Sequence, residues 1–178
     1  MNIIVQPYGS ELCYCRPDTT WERENRDFYS PECVNEILWA PVIFARVSKA
    51  GKCIGRKFVG RYYDGVNCGL LMYCNDSEIA FASCVDHTSI LPMPLYDQVV
   101  MDEDKTFEVN GLSIQLNGIK EIIEDTICRA SQMTSLRIGD FVAVELKPVA
   151  GLASREDKEM AMKGIFCERE IFNFNIIF

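Results

Sequence analysis

The chain has a single histidine, His87, which follows Asp86 directly and Cys84 by three positions. A thiol near an imidazole is the raw material of a nucleophile and its base. An imidazole near carboxylates suits acid–base chemistry, and Asp64, Asp76, Asp86 and Glu36 could supply oxygens for a divalent cation with His87 as the base. Nearness in sequence does not make a dyad, and each of these groups has a plainer reading. Asp64 and Asp76 lie close in sequence to Arg56 and Arg61, with which ordinary ion pairs are expected. Nine cysteines also invite a disulfide or zinc reading. Their odd number, scattered spacing and lack of a Cys-x-x-Cys pair, the closest being Cys13 and Cys15, argue for reduced thiols. Cys53, Cys68, Cys74, Cys128 and Cys167 have apolar neighbours, among which a thiol acts as a small hydrophobe.

The elements that must position such groups centre on residues 35–76. Ile37 to Val47 is a continuous apolar run rich in β-branched and aromatic residues, with the length of a buried strand. Ser48-Lys49-Ala50-Gly51-Lys52 has turn composition, the basic and aromatic segment Arg56 to Tyr63 follows, and Cys68 to Cys74 forms a second apolar run. Residues two apart on a strand share a face, so Ala40 and Val42 look the same way. Neither can donate a ligand. Pro41 between them lacks a backbone donor and fits best at a strand edge or bulge.

These stretches resemble the fumarylacetoacetate hydrolase family. Gly51, Lys52, Ile54, Arg56, Lys57, Phe58, Arg61, Tyr62, Tyr63 and Asp64 match the family segment that ends in RYYD, and Gly69 matches the glycine after it. Upstream, Pro17, Asp18, Thr19, Phe28, Tyr29, Pro31, Asn35, Glu36 and Ile37 match in order; downstream, Val109-Asn110-Gly111 and the stretch from Ser131 to Val142 do so too. The resemblance implies a mainly β, α+β fold with one helix, the mixed β-sandwich roll of that family, as a single domain over residues 1–178. It also implies a homodimer or a hetero-oligomer with a related subunit.

Family members bind a magnesium or manganese type of cation through a Glu-x-Glu pair and an aspartate. In this frame the two glutamates fall on Ala40 and Val42, the aspartate on Leu71 and a frequent arginine on Asn75; Asp76 alone survives. If Asp86 matches the family's K-G-F-D element, the catalytic lysine position is Ser83 and the glycine is Cys84. The family threonine of G-T-P is lost in Glu145-Leu146-Lys147-Pro148. The N-terminal lid segment bearing a His and a Glu is expected to be missing. Hard cations need oxygen ligands, and three aliphatic side chains turn a polar cavity into an apolar wall.

At 178 residues, with 48% hydrophobic residues and a mean hydropathy of zero, the chain is long enough and apolar enough to bury a sizeable core. A net charge of −8 and a pI near 4.7 disfavour nucleic acid and anionic membranes as partners. No apolar run approaches the length of a transmembrane helix and no leader pattern precedes the first strand, so a cytoplasmic location is expected.

Along the chain, Asn2 to Val5 reads as a strand, with Glu11 to Cys15 able to pair with it. Trp21 to Asp27 reads as a solvated loop or short turn, Ser77 to Phe81 as ambiguous between helix and strand, and the proline-rich stretch Ser89 to Pro94 as extended or looped. Tyr96 to Met101 reads as a strand, and Thr106 to Val109 with Leu112 to Leu116 as a hairpin about Asn110-Gly111. Ile119, Ile122, Ile123, Thr126, Ile127 and Ala130 recur at helical spacing between Gly118 and Ser135, with Lys120, Glu121, Glu124 and Arg129 outside. Phe141 to Leu146 is a buried strand, Arg155 to Lys163 a solvated helical turn or loop, and Gly164 to Phe178 a final strand pair.

Three functional readings follow. The first is a catalytically emptied relative of the family that serves in binding or assembly, with no metal or other cofactor and no catalytic residue. The second is a working hydrolase, decarboxylase or tautomerase of a small keto acid, with magnesium or manganese at a relocated site built from His87, Asp76 or Asp86. The third is a pocket for a small apolar ligand lined by Ala40, Val42, Leu71, Trp39, Met72 and Tyr73, with Asn75 and Ser83 nearby.

Overall fold

The computed structural model describes residues 1–75 and 82–178. Strand β1 (Asn2–Gln6) pairs with β2 (Tyr14–Pro17), and a short 3-10 turn, Asp18–Thr20, leads into β3 (Trp21–Glu22) and then β4 (Phe28–Tyr29). The long hairpin of β5 (Glu36–Val47) and β6 (Tyr63–Cys74) follows, its strands joined through a 3-10 helix at Arg56–Arg61. Next come β7 (Ser89–Ile90), the hairpin β8 (Thr106–Val109) and β9 (Leu112–Gln115), and helix α1 (Ile119–Met133). Strands β10 (Phe141–Glu145), β11 (Ala150–Ser154), β12 (Glu159–Phe166) and β13 (Arg169–Ile177) complete the order.

Two sheets result. One runs β2-β1-β10-β5-β6-β7-β3, with β11 adding to β5; the other runs β4-β13-β12-β8-β9. The larger sheet curls until its edges meet, since Trp21 at one edge packs against Phe141 of β10 with ring centroids 5.1 Å apart. Side-chain periodicity then sorts the apolar residues into two clusters. Ile37, Ile43, Ala45, Cys68, Leu70 and Met72 of the central hairpin face the second sheet and the helix, in the larger cluster. Val42, Phe44 and Leu71 face inward with Ile3, Val5 and Phe141, in the smaller cluster inside the curl.

Pro41 lies within β5, where the expected edge or bulge takes the form of a change of neighbour. On one side β5 pairs with β10 as far as Val42 opposite Glu145, and with β11 from Trp39 opposite Ala150. The Pro41 carbonyl accepts the Leu146 N–H at 2.8 Å, and in a strand a residue's N and C=O point to the same side. The missing donor therefore faces the gap where β10 leaves the sheet before β11 joins it, and no ladder bond is lost. Gly69 has a steric reason: a Cβ there would stand 2.2 Å from the Ile90 carbonyl oxygen, so β7 can cross β6 only over a glycine.

Helix α1 buries Ile119, Ile123, Thr126, Ile127 and Ala130 and packs on β10 and on the Arg56–Arg61 turn. Ile122 of the expected inner stripe is 41% exposed instead, because it lines an open groove beside Pro7, Ile114 and Leu146. Four further segments differ from expectation. Tyr96 to Met101 is not a strand: Tyr96 forms an isolated bridge with Val66, and Gln98–Asp102 is 3-10, started by Asp97 accepting the Val99 N–H at 2.9 Å. Arg155 to Lys163 contains only a brief 3-10 turn before β12 begins at Glu159. Its solvated face carries Glu159 and Lys163, so alternation was masked by charge. Trp21 to Asp27 opens with β3, and Glu22 in it is buried. Strand β6 starts at Tyr63, five residues ahead of the apolar run, since Asp64 is the only exposed side chain of its first turns. Ser77 to Phe81 lies outside the described residues.

Candidate functional site

The inward face of the β5–β6 hairpin is where the resemblance locates a metal. Register pairs Ala40 with Leu71 and Val42 with Gly69, which places Ala40, Val42 and Leu71 side by side on one face. All three are 0% exposed. Phe44 and Phe141, edge to face at 5.4 Å, and Trp21 fill the space in front of Val42 and Leu71. The contact set is that of a packed core, in which each such aliphatic side chain contributes roughly 1.5–3 kcal/mol by leaving water. Methyl groups offer a hard cation no electron pair, so these residues do not fit the divalent metal of the resembled family. Among the described residues no three His, Cys, Asp or Glu side chains converge as a metal ligand set.

Polar groups gather at one end of the same interior. The Tyr73 hydroxyl donates to a Glu145 carboxylate oxygen, so the Tyr14 hydroxyl, 2.7 Å from it, is left to donate to Tyr73. The second Glu145 oxygen accepts the Tyr8 N–H at 2.9 Å. Burial, before any neighbour's charge, pushes both Tyr14 and Tyr73 above the ordinary tyrosine range. Arg16 of edge strand β2 is 0% exposed and crosses the seam of the curled sheet. Its Nε donates to the Ser83 carbonyl at 2.6 Å, and its Nη2 to the Met72 carbonyl at 2.8 Å and to Thr88 Oγ1 at 2.7 Å. The guanidinium lies 5.1 Å from the centre of the Tyr73 ring, and among the described residues Nη1 has no hydrogen-bond partner. Burial pushes its pKa down, with the nearby tyrosines opposing.

Other candidates disperse. Ser83 is half-buried and contributes only its carbonyl, to Arg16. Asn75 is exposed and binds Glu36 through side chain and backbone. Asp86 is exposed, and Asp76 lies outside the described residues. Cys84 Sγ sits 3.9 Å from Ser83 Oγ, whereas His87 turns to the buried Glu22, 3.1 Å away, so thiol and imidazole form no dyad. Asp64 is held by Arg46 at 2.9 Å, not by Arg56 or Arg61, because positions 46 and 64 flank the same hairpin ladder; Arg56 pairs with Asp125 and Glu124 of α1. Trp39 and Met72 face the larger cluster and do not line the inward face. All nine cysteines are free, though Cys53 is exposed.

Sequence reasoning missed Arg16, Tyr14, Glu145 and Glu22. A signal existed: Tyr14 and Arg16 are two apart, and so on one face if the segment expected to pair with the first strand runs on past Cys15.

No protein-family model matches this sequence, and no curated protein matches it either. Solved structures do. One is a protein ascribed to the fumarylacetoacetate hydrolase family from Yersinia pestis CO92, with 16% identity and a TM-score of 0.76 over 99% of this chain and 91% of that one. A second is maleylpyruvate hydrolase from Sphingobium sp. SYK-6 in complex with manganese(II) and pyruvate, with 16% identity and a TM-score of 0.75 over 97% and 69%. A third is 5-carboxymethyl-2-hydroxymuconate delta-isomerase from Mycobacterium smegmatis, with 12% identity and a TM-score of 0.74 over 99% and 78%. The curled sheet, the second sheet and the single helix are thus an α+β arrangement of a known class. The chain has the fumarylacetoacetate hydrolase fold.

Proposed function

We propose that this chain is a non-catalytic protein on the fumarylacetoacetate hydrolase fold, a pseudoenzyme that binds or assembles with partners. The observation that carries this reading is the zero exposure of Ala40, Val42 and Leu71, three aliphatic side chains at the positions where the resemblance expects carboxylates. The Sphingobium neighbour was crystallised with manganese and pyruvate; here the corresponding face offers neither oxygen ligands nor volume. The same close packing favours a filled interior over a pocket for an apolar ligand. A homodimer or a hetero-oligomer with a related subunit, in the cytoplasm, completes the reading and is open to sedimentation and localisation experiments.

Calorimetric titration with magnesium, manganese and calcium is expected to give no 1:1 binding, and assays on acylpyruvates and oxaloacetate with added metal no turnover. Tight stoichiometric binding, or turnover abolished by Asp76→Ala, would overturn the reading.

A further inference from the structure

Between the start of β2 and the C-terminal turn of α1 lies a cavity of about 390 Å³, whose lining includes Cys13, Cys15, Met133 and Arg129. Tyr14 and Arg16 turn into the barrel, so the residues that alternate with them turn outward. Cys15 stands opposite Ile4 of the outward cluster, and Cys13 packs against that same cluster. Two thiols thus open on one space beside the helix. Extended backbone sets residues two apart roughly 6.5 Å from each other, at the outer limit for a disulfide but open to an ion lodged between two sulfurs. All nine cysteines are free. A third sulfur stands at the rim on Met133, which is 87% exposed.

The cavity wall also holds a donor without an acceptor. Arg129 Nη2 donates to Gln6 Oε1 at 2.9 Å, and the β1–β2 register, carried one step beyond Val5 and Tyr14, sets Gln6 opposite Cys13. The guanidinium is thereby pinned close to that thiol. Its Nη1 has the 90% exposed Glu11 at 3.8 Å, and its buried Nε has no hydrogen-bond partner among the described residues. Burial pushes the Cys13 thiol up, and the Arg129 charge pulls it back. A neutral thiol accepts only weakly, whereas a thiolate suits a charged N–H, so the idle nitrogen gains an acceptor once Cys13 loses its proton. Soft sulfur ligands select copper(I) or zinc. Zinc takes four ligands, but no three His, Cys, Asp or Glu side chains converge among the described residues; copper(I) is content with two or three sulfurs. We propose that Cys13 and Cys15, with Met133 as a third sulfur, form a binding site for copper(I), the Arg129 guanidinium offsetting its charge. Binding exchanges two thiol protons for one Cu⁺, which leaves a bis-thiolate centre of charge −1 beside the arginine. The site lies outside the barrel and asks nothing of its interior.

The test offers copper(I) to the reduced full chain under argon as its coloured bathocuproine disulfonate complex, and loss of colour reads transfer to the protein. Cys13→Ser/Cys15→Ser, which keeps the other seven cysteines, should take up one equivalent fewer than the parent. Cys15→Ser alone, at an exposed position, should lose the same equivalent, and it decides the matter if the double variant does not fold. Arg129→Gln should weaken the affinity about ten- to a hundredfold, the usual cost of removing a group that supports metal ligands. With one equivalent bound, X-ray absorption at the copper edge should show three sulfur neighbours, and two in Met133→Leu. Equal uptake by the parent and the cysteine variants, nitrogen or oxygen neighbours at the copper, an unchanged spectrum in Met133→Leu, or unchanged affinity in Arg129→Gln would each overturn the assignment.

Discussion

The two faces of the β5–β6 hairpin make an instructive pair. Outward, Ile43, Ala45, Cys68 and Leu70 meet the helix and the second sheet, as any two-layer core requires. Inward, Val42, Phe44 and Leu71 meet other strands of their own curled sheet and Leu91 just beyond β7, in the place where the resemblance expects carboxylates and an ion. Both faces are equally dry, yet they are closed differently. The outward core is covered by whole elements, whereas the inward one is shut by a strap from β2 to β3 and by single side chains, chiefly Arg16 and Trp21. An interior can thus be closed without a covering element, by what lines it and what fastens its seam.

The sharpest way to break this comparison is to put charge back inside. Leu71→Asp should lower stability by about 4 kcal/mol, since an unpaired carboxylate in a dry interior is among the costliest single changes; a urea titration checks it. A variant as stable as the parent would mean that the interior is wet. Arg16→Met should cost about 3 kcal/mol in the same assay, because the carbonyls of Met72 and Ser83 and the Thr88 hydroxyl lose their donor. A much smaller loss would show that the seam is held by its backbone contacts alone.

Alkali probes the shared strand from the outward side. Burial pushes the Cys74 thiol up to about 11 from an ordinary 9.0, so the folded state favours the neutral form. The unfolded chain ionises first, and the associated stability is complete below pH 9 and declines as pH rises towards 11, by about 3 kcal/mol at most. Cys74→Ala should flatten that decline in a series of urea midpoints. The smallest effect is expected where neither face is involved: Asp64→Asn, which breaks the exposed pair with Arg46, should change stability by no more than about 0.5 kcal/mol.

Much of this arrangement could be read before any coordinates. The apolar run from Ile37 to Val47 gave β5 its length, Asn110-Gly111 marked the tight hairpin of β8 and β9, and the spacing of Ile119, Ile123 and Ile127 located the helix. Alternation also placed Ala40 and Val42 on one face. What stayed hidden depended on contacts between distant segments. Arg16 looks like a surface residue until the sheet curls and brings Met72 and Thr88 to it, and Glu145 looks unremarkable until Tyr73 reaches it. Glu22 sits in a run of charges, Trp21 to Asp27, whose composition signals solvent; only the pairing of β3 with β7 draws it inward. Strand β12 was obscured for the opposite reason, because its solvated face carries Glu159 and Lys163 and mimics a loop.

The unpartnered Nη1 of Arg16 has a bearing on how this molecule would breathe. A guanidinium that fastens two edges through three acceptors while leaving one nitrogen idle works as a latch with a spare prong. Parting the seam where Arg16 crosses it must lift that latch. The rate at which xenon enters the interior should therefore rise in Arg16→Met even under conditions where the whole chain stays folded.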